Sequence, residues 1–233
     1  MKETLSAIKI SGIDASKFLQ GQITIDINDA KTNSFLLAAH CNPQGRVISL
    51  FHVTQFENDY YLILPTSLRD VAFNALKKYA VFFKLAMTKE DALPFSLPEN
   101  LNDIKNGIPQ INTITSGMFL PHELNLPELN AVNFNKGCYT GQEIIARMHY
   151  RGKLKKHLYC GTIKTSSTLQ AGQDVFLKNN NQTELAGNIV NCEKTAENSY
   201  FLTLVCDEAH AKNNFLYLTE GENAYVTFLE STT

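Results

Sequence analysis

Residues 136–143 read Lys136-Gly137-Cys138-Tyr139-Thr140-Gly141-Gln142-Glu143. Thr140 and Glu143 stand three apart, just ahead of the apolar positions Ile144, Ile145 and Met148. That spacing predicts a capping box, with the Thr hydroxyl on the amide of the third helical residue and the Glu reaching back to the cap amide. Cys138 then lies two residues before the cap, near the positive end of the helix dipole. Lys136 and Arg147 add positive charge. Such surroundings favour a thiolate over a thiol. Gly137 and Gly141 permit tight turns or close approach of the backbone. The same residues also describe a plain loop-to-helix junction whose cysteine fills space. Composition alone leaves both readings open.

Downstream, the chain turns basic. Arg147, Arg151, Lys153, Lys155, Lys156 and Lys164 follow with no acidic residue between Ile144 and Gln173. This is a solvated face or an anion-binding surface, suited to a phosphate, an RNA strand or the glutamate tail of a folate. Further on, short strands recur at turn spacing over 157–163, 174–177, 184–192, 200–206, 215–218 and 224–229. About six short antiparallel strands predict a small barrel or sandwich. The change of period places a boundary near 152–155, giving residues 1–152 and 153–233 as two domains.

Upstream, Leu5 to Ile10 reads as a strand, and Asp14 as the cap of a short helix from Ala15 to Gln20. Residues 21–27 alternate, as a strand or extended loop with Gln22, Thr24 and Asp26 on one side. Most such polar residues simply face water. Strands are expected over 34–41, 46–56, 60–64 and 81–87, with turns at Asn42-Pro43-Gln44-Gly45 and Glu57-Asn58-Asp59. Ser67 and Asp70 predict a second capping box for a helix to about Tyr79, whose Leu68, Val71, Ala72, Ala75 and Leu76 fall at helical spacing. Strands around one amphipathic helix make an antiparallel α+β sheet covered on one face. Residues 89–130 hold five of the seven prolines and read as irregular.

The 233 residues suffice for one large or two ordinary domains. Hydrophobic residues at 44%, charged residues at 19% and a net charge of -2 exclude a strongly basic, nucleic-acid-coating protein. Five scattered cysteines without a C-x-x-C pair give no zinc knuckle or self-contained cluster site, so no metal ligand set is expected. Odd, sparse cysteines point to a reducing compartment. The N-terminus lacks a signal-peptide core, and no window nears the ~18 apolar residues of a membrane span. The expectation is a cytoplasmic protein without a membrane partner. No G-x-G-x-x-G or Walker loop is present.

The octet, with Ile144-Ile145-Ala146-Arg147 and Tyr150-Arg151-Gly152 after it, resembles the signature of the YgfZ-type folate-binding family, relatives of the glycine-cleavage T-protein. Gly12-x-Asp14-Ala15 with Phe18-Leu19-Gln20-Gly21-Gln22-x-Thr24-x-Asp26 is similar to its first block, and Cys41-Asn42-Pro43-Gln44-Gly45-Arg46 to its second. The resemblance implies an antiparallel, T-protein-like and ferredoxin-like N-terminal region with a central cavity, followed by a C-terminal β-barrel. It implies tetrahydrofolate or a derivative as cofactor, and a role in iron–sulfur cluster assembly or repair and in tRNA methylthiolation. The expected partners are iron–sulfur enzymes such as tRNA methylthiotransferases, met indirectly, with tRNA contact as a further possibility. The functional cysteine falls on Cys138, with transient cluster contact. Folate-side residues are expected at Leu5, Gln22, Asp26, Arg46, Tyr139, Gln142, Glu143, Arg147 and Arg151.

Two departures bear on chemistry. Where the T-protein has adjacent aspartates this chain has Ile48 and Ser49, which argues against aminomethyl transfer, a step that needs a nearby carboxylate. The chain has no tryptophan, and Leu5 stands where a relative has one. The alternatives are a one-carbon transferase using Asp26 or Glu143, and a non-catalytic RNA-binding module using the basic run. The chain is short for the family, with the deficit between Ala86 and Gly107.

Overall fold

The computed structural model describes residues 4–32, 34–101, 104–179, 182–212, 216–218 and 224–229. The chain divides into two compact units. The first takes Met1–Leu101, Ile111–His122 and Leu126–Gly152; the second takes Asn102–Gln110, Glu123–Asn125 and Lys153–Thr233. The α+β class expected from the sequence is what the structure shows, an antiparallel sheet and a closed barrel.

The first unit is built on β1 (Leu5–Ser11), β2 (Leu36–Cys41), β3 (Val47–Phe56), β4 (Asp59–Pro65) and β5 (Ala86–Glu90), in the spatial order β2-β3-β4-β1-β5. Side chains on a strand alternate between faces, and directly opposed residues share one. His40 opposes Ser49, Leu62 opposes both Val53 and Ile8, and Ile8 opposes Lys89. These residues therefore mark one face. Helix α1 (Ala15–Gln20) precedes β2, and α2 (Thr66–Ala80) buries Leu68, Ala72 and Leu76, one stripe at i, i+4, i+8. Lys89 reaches Asp70 of α2 at 2.6 Å and lies over the Phe73 ring, so α2 covers this face.

The opposite face carries Leu5, Ala7, Tyr61, Ile63 and His52. It is covered too, which corrects the expectation of a sheet covered on one side only. Leu93, Phe95, Leu97 and Leu101, from the irregular stretch, pack against Ala7, Tyr61 and Ile63. Phe95 meets Tyr61 edge-on at 5.2 Å.

Other local expectations shift for physical reasons. The strand expected over 81–87 starts only at Ala86. Residues 81–85 instead make the return from α2, with the Phe83 amide on the Ala80 carbonyl. Asp14 stands at the cap of α1 but makes no side-chain cap bond; its carboxylate accepts the Lys84 amide at 2.8 Å and pins that return. The Ser67 box is absent because Pro65 takes the cap of α2, and Asp70 is engaged by Lys89. Residues 21–27 form an isolated bridge, Ile23 to His40, and then a 3-10 turn over Ile27–Asp29, capped by Asp26.

The second unit closes a six-stranded barrel from β6 (Lys156–Lys164), β7 (Asp174–Asn179), β8 (Gln182–Ala196), β9 (Ser199–Asp207), β10 (Leu216–Tyr217) and β11 (Tyr225–Phe228). Its interior is aliphatic, with Val175, Ile189, Leu202, Leu204, Leu216 and Val226 fully buried. The short excursions of chain are stitched onto it by side-chain amides. Asn125 bonds both the amide and the carbonyl of Leu158, and Gln110 accepts from Asn191.

Candidate functional site

Helix α3 (Gln142–Arg151) is entered through Gly141, not through Thr140. Gly141 has φ +84°, and a Cβ there would fall 2.6 Å from the Asn42 carbonyl oxygen. Gly45, φ +74°, lies across from it, and a Cβ there would meet Ile144 at 3.0 Å. Only glycine combines this backbone conformation with this closeness. The predicted capping box is therefore absent. The Thr140 amide donates to the Gly21 carbonyl, and Glu143 reaches forward to Arg147 at 3.1 Å. Cys138 stands exposed, three residues before the cap and outside the immediate helix terminus.

Long-range backbone bonds bring the three motif blocks together. Lys136 is buried, and its Nζ donates to the carbonyls of Ile23 and Ile25 at 2.8 and 2.6 Å. Burial lowers its pKa to about 8, against the pull of Asp26. Thr24 Oγ1 donates to the Ala131 carbonyl and accepts the Ala39 amide. The Asn133 amide donates to the Thr24 carbonyl. Asn42 accepts the Arg46 amide, and the Arg46 guanidinium holds the Met118 carbonyl. Lys136 is thus a clamp on residues 23–25 rather than a charge offered to Cys138.

This junction buries polar atoms that have no hydrogen-bond partner among the described residues: Gln22 Oε1, His40 Nδ1, Ser49 Oγ and the Tyr139 hydroxyl. His40 opposes Ser49 in the ladder, bridges Ile23 next to Gln22, and precedes Cys41, which lies beside Tyr139. Each such atom costs about 1–3 kcal/mol of lost hydration. Burial lowers the His40 pKa to about 4 and pushes the Tyr139 phenol up. It also pushes up the thiols of Cys41, Cys160, Cys192 and Cys206, the last to about 12. Of the five cysteines, Cys138 alone is exposed.

No protein-family model matches the chain. It is 30% identical to the tRNA-modifying protein YgfZ of Klebsiella pneumoniae (strain 342), across 78% of this chain and 76% of that one. The chain belongs to the YgfZ family. The tRNA-modifying protein YgfZ of Colwellia psychrerythraea is also 30% identical, across 66% of this chain and 68% of the relative. In fold, the YgfZ-family chain is similar to the glycine cleavage system aminomethyltransferase T from Bartonella henselae, with TM-score 0.72, 12% identity, and coverage of 98% and 83% of the two chains. That likeness concerns the fold alone.

Not every residue expected at the YgfZ-family site reaches the junction. Gln22, Tyr139 and Gln142 lie in it, and Arg46 closes the 42–46 turn beside it. Asp26 is there, but its Oδ1 is taken by the amide and side chain of Asn28. Glu143 and Arg147 form an exposed pair on α3. Arg151 is nine residues along α3 from Gln142, about 13 Å away. Leu5 is on the other face of the sheet from His40 and Ser49, in the cluster around Tyr61. No group of three or more His, Cys, Asp or Glu able to hold a metal occurs among the described residues, and no helix among them is long and apolar enough to cross a membrane. Sequence reasoning missed His40, and took Lys136 only as a charge. A lone histidine in a buried strand gives no signal of its own.

Proposed function

We propose that this protein binds tetrahydrofolate or a derivative in its first unit and acts in the cytoplasm as an accessory factor for tRNA modification by methylthiolation and for iron–sulfur cluster assembly or repair. Cys138 is its working thiol, offered to a cluster or to a partner thiol. The observation that carries this reading is the set of buried, partnerless polar atoms at the junction of the three blocks, beside the exposed cysteine. Buried polar atoms of this kind are matched by a polar ligand or by water.

The residues present fit a pterin. Its flat, polar edge carries both donors and acceptors. Gln22 Oε1 accepts, and the Tyr139 and Ser49 hydroxyls do either. His40, neutral above about pH 4, presents one nitrogen. Lys136 holds the 23–25 segment, and with it Gln22, in place. Arg147 and Arg151 are exposed along α3, beyond the junction, and suit an anion, whether a folate tail or a phosphate. When bound, tetrahydrofolate supplies a carrier for a one-carbon unit. Aminomethyl transfer has less support. Asp26 caps the 3-10 turn, Glu143 faces Arg147, and Ser49 stands where a carboxylate would be needed. The partners are iron–sulfur enzymes such as tRNA methylthiotransferases, reached indirectly.

The test is complementation of a strain lacking the native protein. Cys138→Ala is expected to leave tRNA methylthiolation and iron–sulfur enzyme activity low, while Cys192→Ala restores both. Full restoration by Cys138→Ala would remove the thiol from the account.

A further inference from the structure

Away from Cys138, the last turn of α3 and the stretch before the octet bring four rings together. Phe134 stacks on the His149 imidazole, with centroids 3.7 Å apart and planes 15° from parallel. Tyr150 stands edge-on to both, 4.8 Å from His149 and 6.3 Å from Phe134. His122 lies 6.0 Å from each of Phe134 and His149. Ordinary core packing does not explain this group, because His149 is exposed and Tyr150 is 67% exposed. Beside them His122 is only 7% exposed, yet neither of its ring nitrogens has a partner among the described residues. Burial, with His149 alongside, lowers its pKa and outweighs the opposite pull of Glu128. His122 is then a neutral imidazole with one donor and one acceptor unspent.

The same helix supplies positive charge. Arg147, Tyr150 and Arg151 fall at i, i+3 and i+4, on one side of α3, and all three are exposed. Glu143 pairs with Arg147, but both side chains are open to water, where such a pair contributes little. A planar, apolar-faced surface edged by two guanidinium groups matches the chemistry of a nucleotide. Rings take a base face, and arginines take phosphate.

We propose that this cluster is a nucleotide-binding site for an unpaired residue of an RNA strand. The base lies against the exposed rings of Tyr150 and His149, with Phe134 and the buried His122 backing them, and the flanking phosphates rest on Arg147 and Arg151. The site deepens the reading above and rests on it for the choice of RNA over a free nucleotide.

The test is fluorescence anisotropy of the full chain with a fluorescein-labelled single-stranded RNA dodecamer, using AMP as competitor. Tyr150→Ala and His149→Ala are each expected to weaken RNA binding about fivefold or more, the scale of one lost base stack. Tyr150→Phe, which keeps the ring, is expected to retain affinity. Arg151→Gln is expected to lower the slope of log affinity against log salt by about one. Competition by AMP that disappears in Tyr150→Ala would support the site with a free nucleotide as its ligand. RNA affinity unchanged in Tyr150→Ala, equal losses in Tyr150→Ala and Tyr150→Phe, or no binding of either probe would overturn the proposal. A parallel titration with tetrahydrofolate separates the two readings. RNA binding without folate binding would overturn the folate reading and leave this site standing.

Discussion

The two units spend their interiors differently. The barrel fills its centre with aliphatic side chains, from Val175 and Ile189 to Leu204 and Val226. The first unit, although its sheet is covered on both faces, leaves Gln22, His40, Ser49, His122 and Tyr139 with buried polar atoms that none of the described residues satisfies. In the second unit such atoms are confined, among the described residues, to Thr203, Asp207 and His210. A polar atom buried without a partner weakens a fold. Its persistence marks the region where stability has given way to another demand. The contrast teaches that the barrel fills its interior for stability, whereas the first unit keeps buried polar groups at a cost to stability, as the proposed ligand site would require.

Acid gives the largest test of that contrast. Burial lowers the pKa of His40 and of His52 to about 4, His52 despite the nearby backbone of Phe35 and Leu101. Between the ordinary value of 6.5 and about 4 the unfolded chain binds more protons, so the native first unit loses stability as pH falls through that window. The slope is about 1.4 kcal/mol per pH unit for each fully titrating histidine. Hydrogen exchange is expected to show β2 and β3 losing protection there before β8 and β9. Simultaneous loss would break the comparison. Next in size, Leu204→Ala in the barrel core is expected to cost about 2–5 kcal/mol without changing ligand affinity. Lys136→Met follows. It leaves the Ile23 and Ile25 carbonyls without their donor, at about 1–3 kcal/mol each, partly offset by relief from burying an ammonium. Urea melts of the two variants read both values. The smallest effect is Tyr139→Phe, which removes a hydroxyl that has no partner. The ligand-free protein is expected to hold its stability or gain up to about 1 kcal/mol.

Much of the fold was legible because its signals are local. Turn residues at short spacing gave all six barrel strands, and the stripe at Leu68, Ala72 and Leu76 gave α2. Both capping boxes failed, since a Thr or Ser three residues before an acid does not say what the acid will meet. Glu143 meets Arg147, Asp70 meets Lys89, and Gly141 and Pro65 take the caps. The return at 81–85 was read as strand because Val81 and Phe82 are apolar, yet both are exposed. The candidate site was legible as three separate blocks, through family resemblance. Their junction was not, because it depends on bonds such as Lys136 to Ile23, which spans 113 residues. The ring cluster joins Phe134 to His149 and His122 across an irregular stretch, where no periodicity reports contact.

The central claim is that the partnerless polar atoms of Gln22, His40, Ser49 and Tyr139 face a folate. Isothermal titration of the full chain with tetrahydrofolate, repeated on Gln22→Leu and Tyr139→Phe, tests it most directly. The account predicts binding by the native chain and roughly tenfold or greater weakening in each variant, as expected when a ligand's buried hydrogen bond is lost. Absence of binding at millimolar ligand, or equal affinity in all three proteins, would contradict it.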